Sequence, residues 1–410
     1  MSRAYLKLLL AYGVSVVGDG VYKVVLMWWV YKSTGSVALL TAIAGSIALT
    51  NTALGLISGA IADLVERKRL MIAADVIRGI LFILITIQFS AGRLTPYHVM
   101  AYSVVIAAVT SVYNPALMAW LPEIVGPDSL VKANSGLQVV QNTGWLIGPA
   151  VGGAIMSVGG AHLGFAFNGL SFWLSALIIA SVVPVSAPME RPSHSLSKVV
   201  SRILPKARDG LVAAKADLMI TYLLGMTSVL NLLTVPIMYL LPVVVQDTYR
   251  LGASYYGILE SVLPIGVVLG SLIIPRLPPA KNQAMLAVAA IMVLGVSYMV
   301  FALSAIYWVG LVMLLVVGTQ MAVASAVGRT IFQERVPADR RGTVFGLMNL
   351  LTSGLQPLGL AVMGIMTKAL GVTWVLMGAA CGLILVAGIA LCLPAFRNYT
   401  AARANERAPV

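Results

Sequence analysis

The chain has 410 residues, 60% of them hydrophobic and only 10% charged, whereas a soluble domain carries about 25% charged residues. That balance excludes a soluble globular fold, and because one span takes roughly 20 apolar residues it leaves room for twelve spans with short loops. The net charge of +13 suits residues bordering anionic lipid, so membrane lipid and no nucleic acid is expected as the partner.

In chain order, apolar segments near 5–32, 37–62, 70–91, 97–120, 131–158 and 164–184 are expected to span, followed by 217–246, 253–276, 283–304, 307–330, 343–369 and 373–396. The first runs past Asp19 without a small-residue cleavage site, so it is expected to act as its own insertion signal. The break between the sets holds Pro184, Pro188, Pro192 and Pro205 with six Lys or Arg. This predicts an all-α integral membrane protein with two six-helix bundles, 1–184 and 217–396. A cytoplasmic linker, 185–216, joins them, and a cytoplasmic tail, 397–410, follows. With both termini inside, twenty Lys and Arg fall in cytoplasmic segments, and four, Lys32, Arg93, Arg250 and Lys368, fall outside. The positive-inside rule therefore orients the chain as a multi-pass protein of the cell membrane, bacterial inner or plasma, with both termini cytoplasmic. Cys381 and Cys392 share the last span and read as small hydrophobes without disulfide or metal spacing.

Ionisable residues inside spans are costly, and each is a functional candidate by default. Asp19 lies mid-span in the first segment with Lys23 one turn on. It reads either as a proton or cation acceptor or as half of a buried pair with Lys23. Asp75 and Arg78, spaced i and i+3 in the third segment, read as a structural pair joined to the gate. Glu260 has no basic residue within a turn of its own helix, and an unpaired carboxyl in a low-dielectric site suits a group that loads and releases protons. It reads otherwise as a neutral hydrogen-bonded acid or a solvated one. Arg329 reads as a snorkelling or latch residue. Polar and aromatic residues at helical spacing mark a candidate cavity wall. They are Tyr12, Ser15, Asp19 and Tyr22; then Asn134, Gln138, Gln141, Asn142 and Trp145; then Asn231, Glu260, Asn349 and Gln356. Hydrogen bonding between helices alone accounts for any single one of them.

The fifth segment carries Gly-Trp-Leu-Ile-Gly-Pro-Ala-Val-Gly-Gly at 144–153. Gly144, Gly148, Gly152 and Gly153 clear one stripe for a neighbouring backbone, and Pro149 removes a donor and permits a bend. Gly136 and Gly144 recur 210 positions later as Gly346 and Gly354, beside similar charged, Pro-containing turns. Internal repeats of this kind build secondary transporters, with the ligand site at the repeat interface.

The decapeptide resembles the fifth-helix motif of major facilitator superfamily antiporters. The loop 59–69 resembles the superfamily's Gly-x-Leu-Ala-Asp-Arg-x-Gly-Arg-Arg motif at Gly59, Ala62, Asp63, Arg67 and Lys68, departing from it at Leu64 and Glu66. There Gly59 would allow a close helix approach, and Asp63 would latch the inner face shut. The second-half counterpart keeps Gly270 but places Ile274 where the aspartate would be, so one latch is implied. Gly18-Asp19, Thr34-Gly35-Ser36, Asp75 with Arg78, Pro122, Leu130 and Asn134 place the resemblance nearest the bacterial macrolide-efflux and enterobactin-exporter branch. The arginine that drug–proton antiporters often carry in the fourth helix is missing from 97–120.

The resemblance implies a monomeric, proton-coupled exporter of small amphipathic molecules such as drugs, macrolides or siderophores, working by alternating access. It implies no bound cofactor, with the proton gradient as energy source. An importer or lipid transporter on the same fold, and more distantly a membrane sensor, are the alternatives. The sequence holds no Walker phosphate loop, no nucleophile–base pair and no metal constellation among His98, His162 and His194, so no enzyme activity is expected.

Overall fold

The computed structural model describes residues 2–126, 129–183, 210–212, 214, 215, 217–276, 282–337 and 340–399; the side chains of Leu56, Ala60 and Asp63 fall outside that description. The expected linker, 185–216, and tail lie almost wholly outside the described residues.

The helices are α1 (Arg3–Thr34), α2 (Val37–Leu64), α3 (Arg67–Ser90) and α4 (Pro96–Val125), followed by a continuous run, Leu130–Ala180. After the linker come α7 (Leu218–Val243), α8 (Ala253–Ile273), α9 (Gln283–Leu303), α10 (Tyr307–Arg335), α11 (Arg341–Leu370), α12 (Val372–Cys392) and the single turn α13 (Pro394–Arg397). As one rod the 51 residues of Leu130–Ala180 would reach about 77 Å, against a hydrocarbon core of about 30 Å. The run breaks at Gly160, whose φ of 73° and ψ of −173° are open to glycine and strained for other residues. It is therefore two helices, α5 (130–159) and α6 (161–180). Eleven helices of spanning length and hydropathy lie among the described residues, and counting this one twice gives twelve spans. Each expected span finds its helix.

Short polar residues set the helix ends. Gly35 ends α1 at φ 61° and donates its N–H to the Tyr31 carbonyl, and Ser36 then accepts from the Leu39 N–H to start α2. The Thr-Gly-Ser turn thus holds a C-cap and an N-cap in succession. Thr95 and His98 form a reciprocal capping box at α4, and Asn282 and Asp217 cap α9 and α7.

Two compact units result: 1–203 with 250–261, and 204–249 with 262–410. In the first, α1 packs on α5, α3 on α6, and α2 on α4; in the second, α7 packs on α11, α9 on α12, and α8 on α10. The same pairing scheme in both units is the repeat seen in the sequence. The N-terminal part of α8 is grouped with the first unit, a departure from the expected boundary at 217. There Gly153 meets Gly257, with a Cβ built on Gly153 falling 3.0 Å from the Gly257 Cα. Apolar residues such as Leu10, Ile87, Leu177, Ile365 and Leu385 are exposed on the outer helix faces, as suits a surface solvated by lipid.

Candidate functional site

Inside the first unit the polar side chains of α1 meet those of α3, α4 and α6. Arg78 and Asp75 form an ion pair and are buried to 1% and 0% exposure. Ser175 donates to the second Asp75 oxygen at 2.7 Å, and the Arg78 guanidinium lies 4.0 Å from the Phe172 ring centre and 4.7 Å from that of Tyr113. The charge is thus matched by a carboxylate and flanked by two aromatic faces, the arrangement a buried arginine requires. Asp19 joins this network, with Arg78, Asp75 and the Asn168 side chain as its polar neighbours. Gly18 lacks the side chain that would collide with Asn168 and Ser171, which explains why a glycine precedes the aspartate.

This placement corrects the reading of α1. Tyr12, Ser15 and Tyr22 do not line a cavity wall: they are buried at 6%, 3% and 8% exposure. The Tyr22 hydroxyl pairs with Ser103 at 2.7 Å, and its ring packs edge-on to Phe82. Helical spacing put these polar groups on one face, and that face turns into the bundle, where hydroxyls satisfy one another.

A second constellation forms where α1, α5 and α8 meet. Lys23 makes its ion pair with Glu260 on α8 and also lies 5.9 Å from the Trp145 ring centre. Glu260 is 6% exposed, and its second oxygen accepts no hydrogen bond among the described residues. Two expectations are corrected here. Glu260 has a basic partner after all, and the ion pair of Lys23 runs across helices to Glu260, away from Asp19. Sequence spacing covers only neighbours on one helix, and this partner lies 237 positions away.

The glycine stripe of α5 brings these helices within reach of one another. A Cβ on Gly148 would fall 2.8 Å from the Gly20 Cα, and one on Gly152 would fall 2.9 Å from the Val21 carbonyl. Gly144 admits Val16, and the Pro149 carbonyl abuts Gly257. Gln138, Gln141 and Asn142 are exposed or half-buried on a different face of α5. The Gln138 amide donates to Asn142 at 3.1 Å and to Gln141 at 3.4 Å.

At the loop between α2 and α3, Arg67 pairs with Glu123 at the end of α4, and Lys68 donates to the carbonyls of Ala180 and Val182, each at 2.8 Å. The Asp63 side chain lies outside the described residues. A Cβ on Gly59 meets no atom within 4 Å among the described residues. Gly354, the repeat mate of Gly144, is equally open, and Gly359 makes the tight contact with α7 instead, 2.9 Å from the Leu232 carbonyl.

In the second unit a cavity of about 310 Å³ gathers Asn231 of α7, Arg329 of α10 and Asn349 of α11, with methionines and threonines around them. Gln356 lies further along α11, half-buried.

With the fold and these sites described, comparison with known proteins is informative. A model of the transmembrane secretion effector family, part of the major facilitator superfamily, matches residues 2–409. The chain belongs to this transporter family. It is 22% identical over 367 residues to macrolide efflux protein A of Streptococcus pyogenes, covering 89% of each chain. It is 26% identical over 403 residues to the multidrug efflux pump Tap of Mycobacterium tuberculosis, covering 93% and 91%. It is 23% identical over 322 residues to the enterobactin exporter EntS of Escherichia coli, covering 78% and 75%. Among solved structures it is similar to the nucleoside transporter NupG, with a TM-score of 0.76 at 14% identity over 97% and 100% of the two chains. A bacterial homologue of Spinster in its inward-facing occupied form gives 0.73 at 15% identity over 96% and 97%. These last two similarities establish the major facilitator fold.

Reading the transporter from sequence missed Asn168, Ser171, Ser175, Ser103 and Glu123. A signal was there for three of them: Asn168, Ser171 and Ser175 recur at helical spacing within an apolar span and mark one polar face of α6. Glu123 stands two residues from the end of α4 and carried no such mark.

Proposed function

We propose that the chain is a proton-coupled exporter of small amphipathic molecules that works by alternating access. The observation that carries this reading is the ion pair of Lys23 on α1 with Glu260 on α8, held between apolar spans beside Trp145. Protonation of Glu260 removes the negative charge that holds Lys23, so the two protonation states favour different packings of these helices. A proton gradient then biases the conformational equilibrium, and cargo affinity that differs between the states is coupled to it. The relatives named as efflux pumps for macrolides, several drugs and enterobactin support export as the direction and amphipathic compounds as the cargo. Asp19, beside Asn168, Arg78 and Asp75, is the group assigned to a cationic or polar part of the cargo.

The test is accumulation in inverted membrane vesicles with an imposed pH gradient, screened over macrolides, lipophilic cations and siderophores. Wild type is expected to concentrate at least one of them, and Glu260→Gln to lose pH-driven accumulation while still binding that compound. Undiminished uphill transport by Glu260→Gln would remove this carboxyl as the coupling group.

A further inference from the structure

We infer that the cavity in the second unit is a binding site for the anionic group of a small amphipathic organic acid, with Arg329 as its counter-charge. The inference deepens the exporter reading and rests on it, since it names the class of cargo.

Arg329 lines the cavity from α10 and forms no ion pair or hydrogen bond among the described residues. Among the other described arginines of this unit, Arg397 on the single turn α13 also lacks a side-chain partner, whereas two near the inner end of α10 have one. Arg335 pairs with Asp217 at 3.5 Å, and Arg341 donates to the carbonyls of Gln333 and Val336. Arg329 is an exposed residue, so its guanidinium is open to solvent and to an entering ligand alike, and no carboxylate of the cavity wall neutralises it. Its planar fork of donors fits a carboxylate bidentately.

The rest of the wall fits the remainder of such a ligand. Asn349 presents an amide from α11. Asn231 spends one donor on the Thr227 carbonyl at 2.9 Å, leaving its amide oxygen as an acceptor. Met226, Met321 and Met348 line the same cavity, and unbranched thioether side chains adapt to varied apolar bodies. No carboxylate is among the lining residues, so nothing there favours a cation. One fixed cation, a few polar groups and an adaptable apolar wall in a volume of about 310 Å³ describe a pocket for an acid with a compact hydrophobic body.

The experiment is calorimetric titration of the purified full chain in detergent with three probes of one shape: 1-naphthylacetate, 1-naphthylacetamide and 1-naphthylmethylammonium. Naphthylacetate is expected to bind at least about tenfold tighter than the amide, with the ammonium weakest. Arg329→Gln should abolish the preference for the acid, and Arg329→Lys should keep part of it, which separates lost charge from lost fold. Equal binding of acid and amide, the result of simple partition onto the apolar surface, would overturn the proposal, as would an acid preference that survives Arg329→Gln. Displacement of naphthylacetate by stoichiometric phosphatidylglycerol would assign the site to a lipid headgroup and likewise overturn it. Tight binding of the ammonium in place of the acid would overturn the anion assignment and leave the exporter standing. Loss of pH-driven accumulation in vesicles would strike the exporter and leave these affinities untouched.

Discussion

Arg78 and Asp75 illustrate what a buried charge demands of its surroundings. Both are all but inaccessible, and each oxygen of Asp75 has a partner, Arg78 on one and Ser175 on the other. Arg78→Ala leaves the carboxylate buried and uncompensated, a change that costs on the order of 3–5 kcal/mol. Its thermal unfolding in detergent should fall well below wild type, and the double replacement Asp75→Leu with Arg78→Met should recover much of the loss. Asp63 belongs to the same scale with a different expectation. Its motif neighbours Arg67 and Lys68 are tied to α4 and to the end of α6, four and five positions after it in the sequence. Asp63→Asn should slow transport while expression and melting stay at wild-type values. Wild-type flux in that variant would dismiss the latch.

At the scale of the element, α5 decides how closely α1 and α8 can approach. The Gly148 and Gly20 backbones touch, and relief by a rotamer change is not open to a backbone atom. Gly148→Val is therefore expected to exceed the about 1–3 kcal/mol usual for overpacking, and to abolish a monodisperse peak in fluorescence-detected gel filtration. Gly225→Ala is the matched control, because a Cβ there meets nothing within 4 Å among the described residues; it should run as wild type. Gly148→Ala adds the same single methyl group as Gly225→Ala, so that pair isolates helix approach from helix propensity.

For the whole molecule, the distribution of Lys and Arg predicts an orientation with which the exposed aromatic residues agree. Tyr97, Trp308 and Trp374 are exposed at 68%, 69% and 66% and stand at the starts of α4, α10 and α12. With the N-terminus inside, those three starts face the outside, where amphipathic rings settle at the headgroup level. Single cysteines placed at Arg93 and in 185–216, on a background with Cys381 and Cys392 replaced, should differ in labelling by an impermeant maleimide from outside. The first is expected to react and the second to stay protected; an externally labelled linker would invert the topology.

Span number, the six-plus-six division and the family were all legible in the sequence, because hydropathy and motif spacing are local or periodic properties of the chain. The spans 131–158 and 164–184 were legible as two, and the break between them at Gly160 appears only in the fold. Which neighbour each face meets was decided only in three dimensions. Helical period placed Tyr12, Ser15 and Tyr22 together and said nothing of whether that face turns to water or into the bundle; packing turned it inward. Glu260 looked solitary because its counter-ion comes from another helix, and only the fold places Arg329, Asn231 and Asn349 on the wall of one cavity. A period of 3.6 fixes which residues share a side, and only the packed bundle fixes what lies opposite.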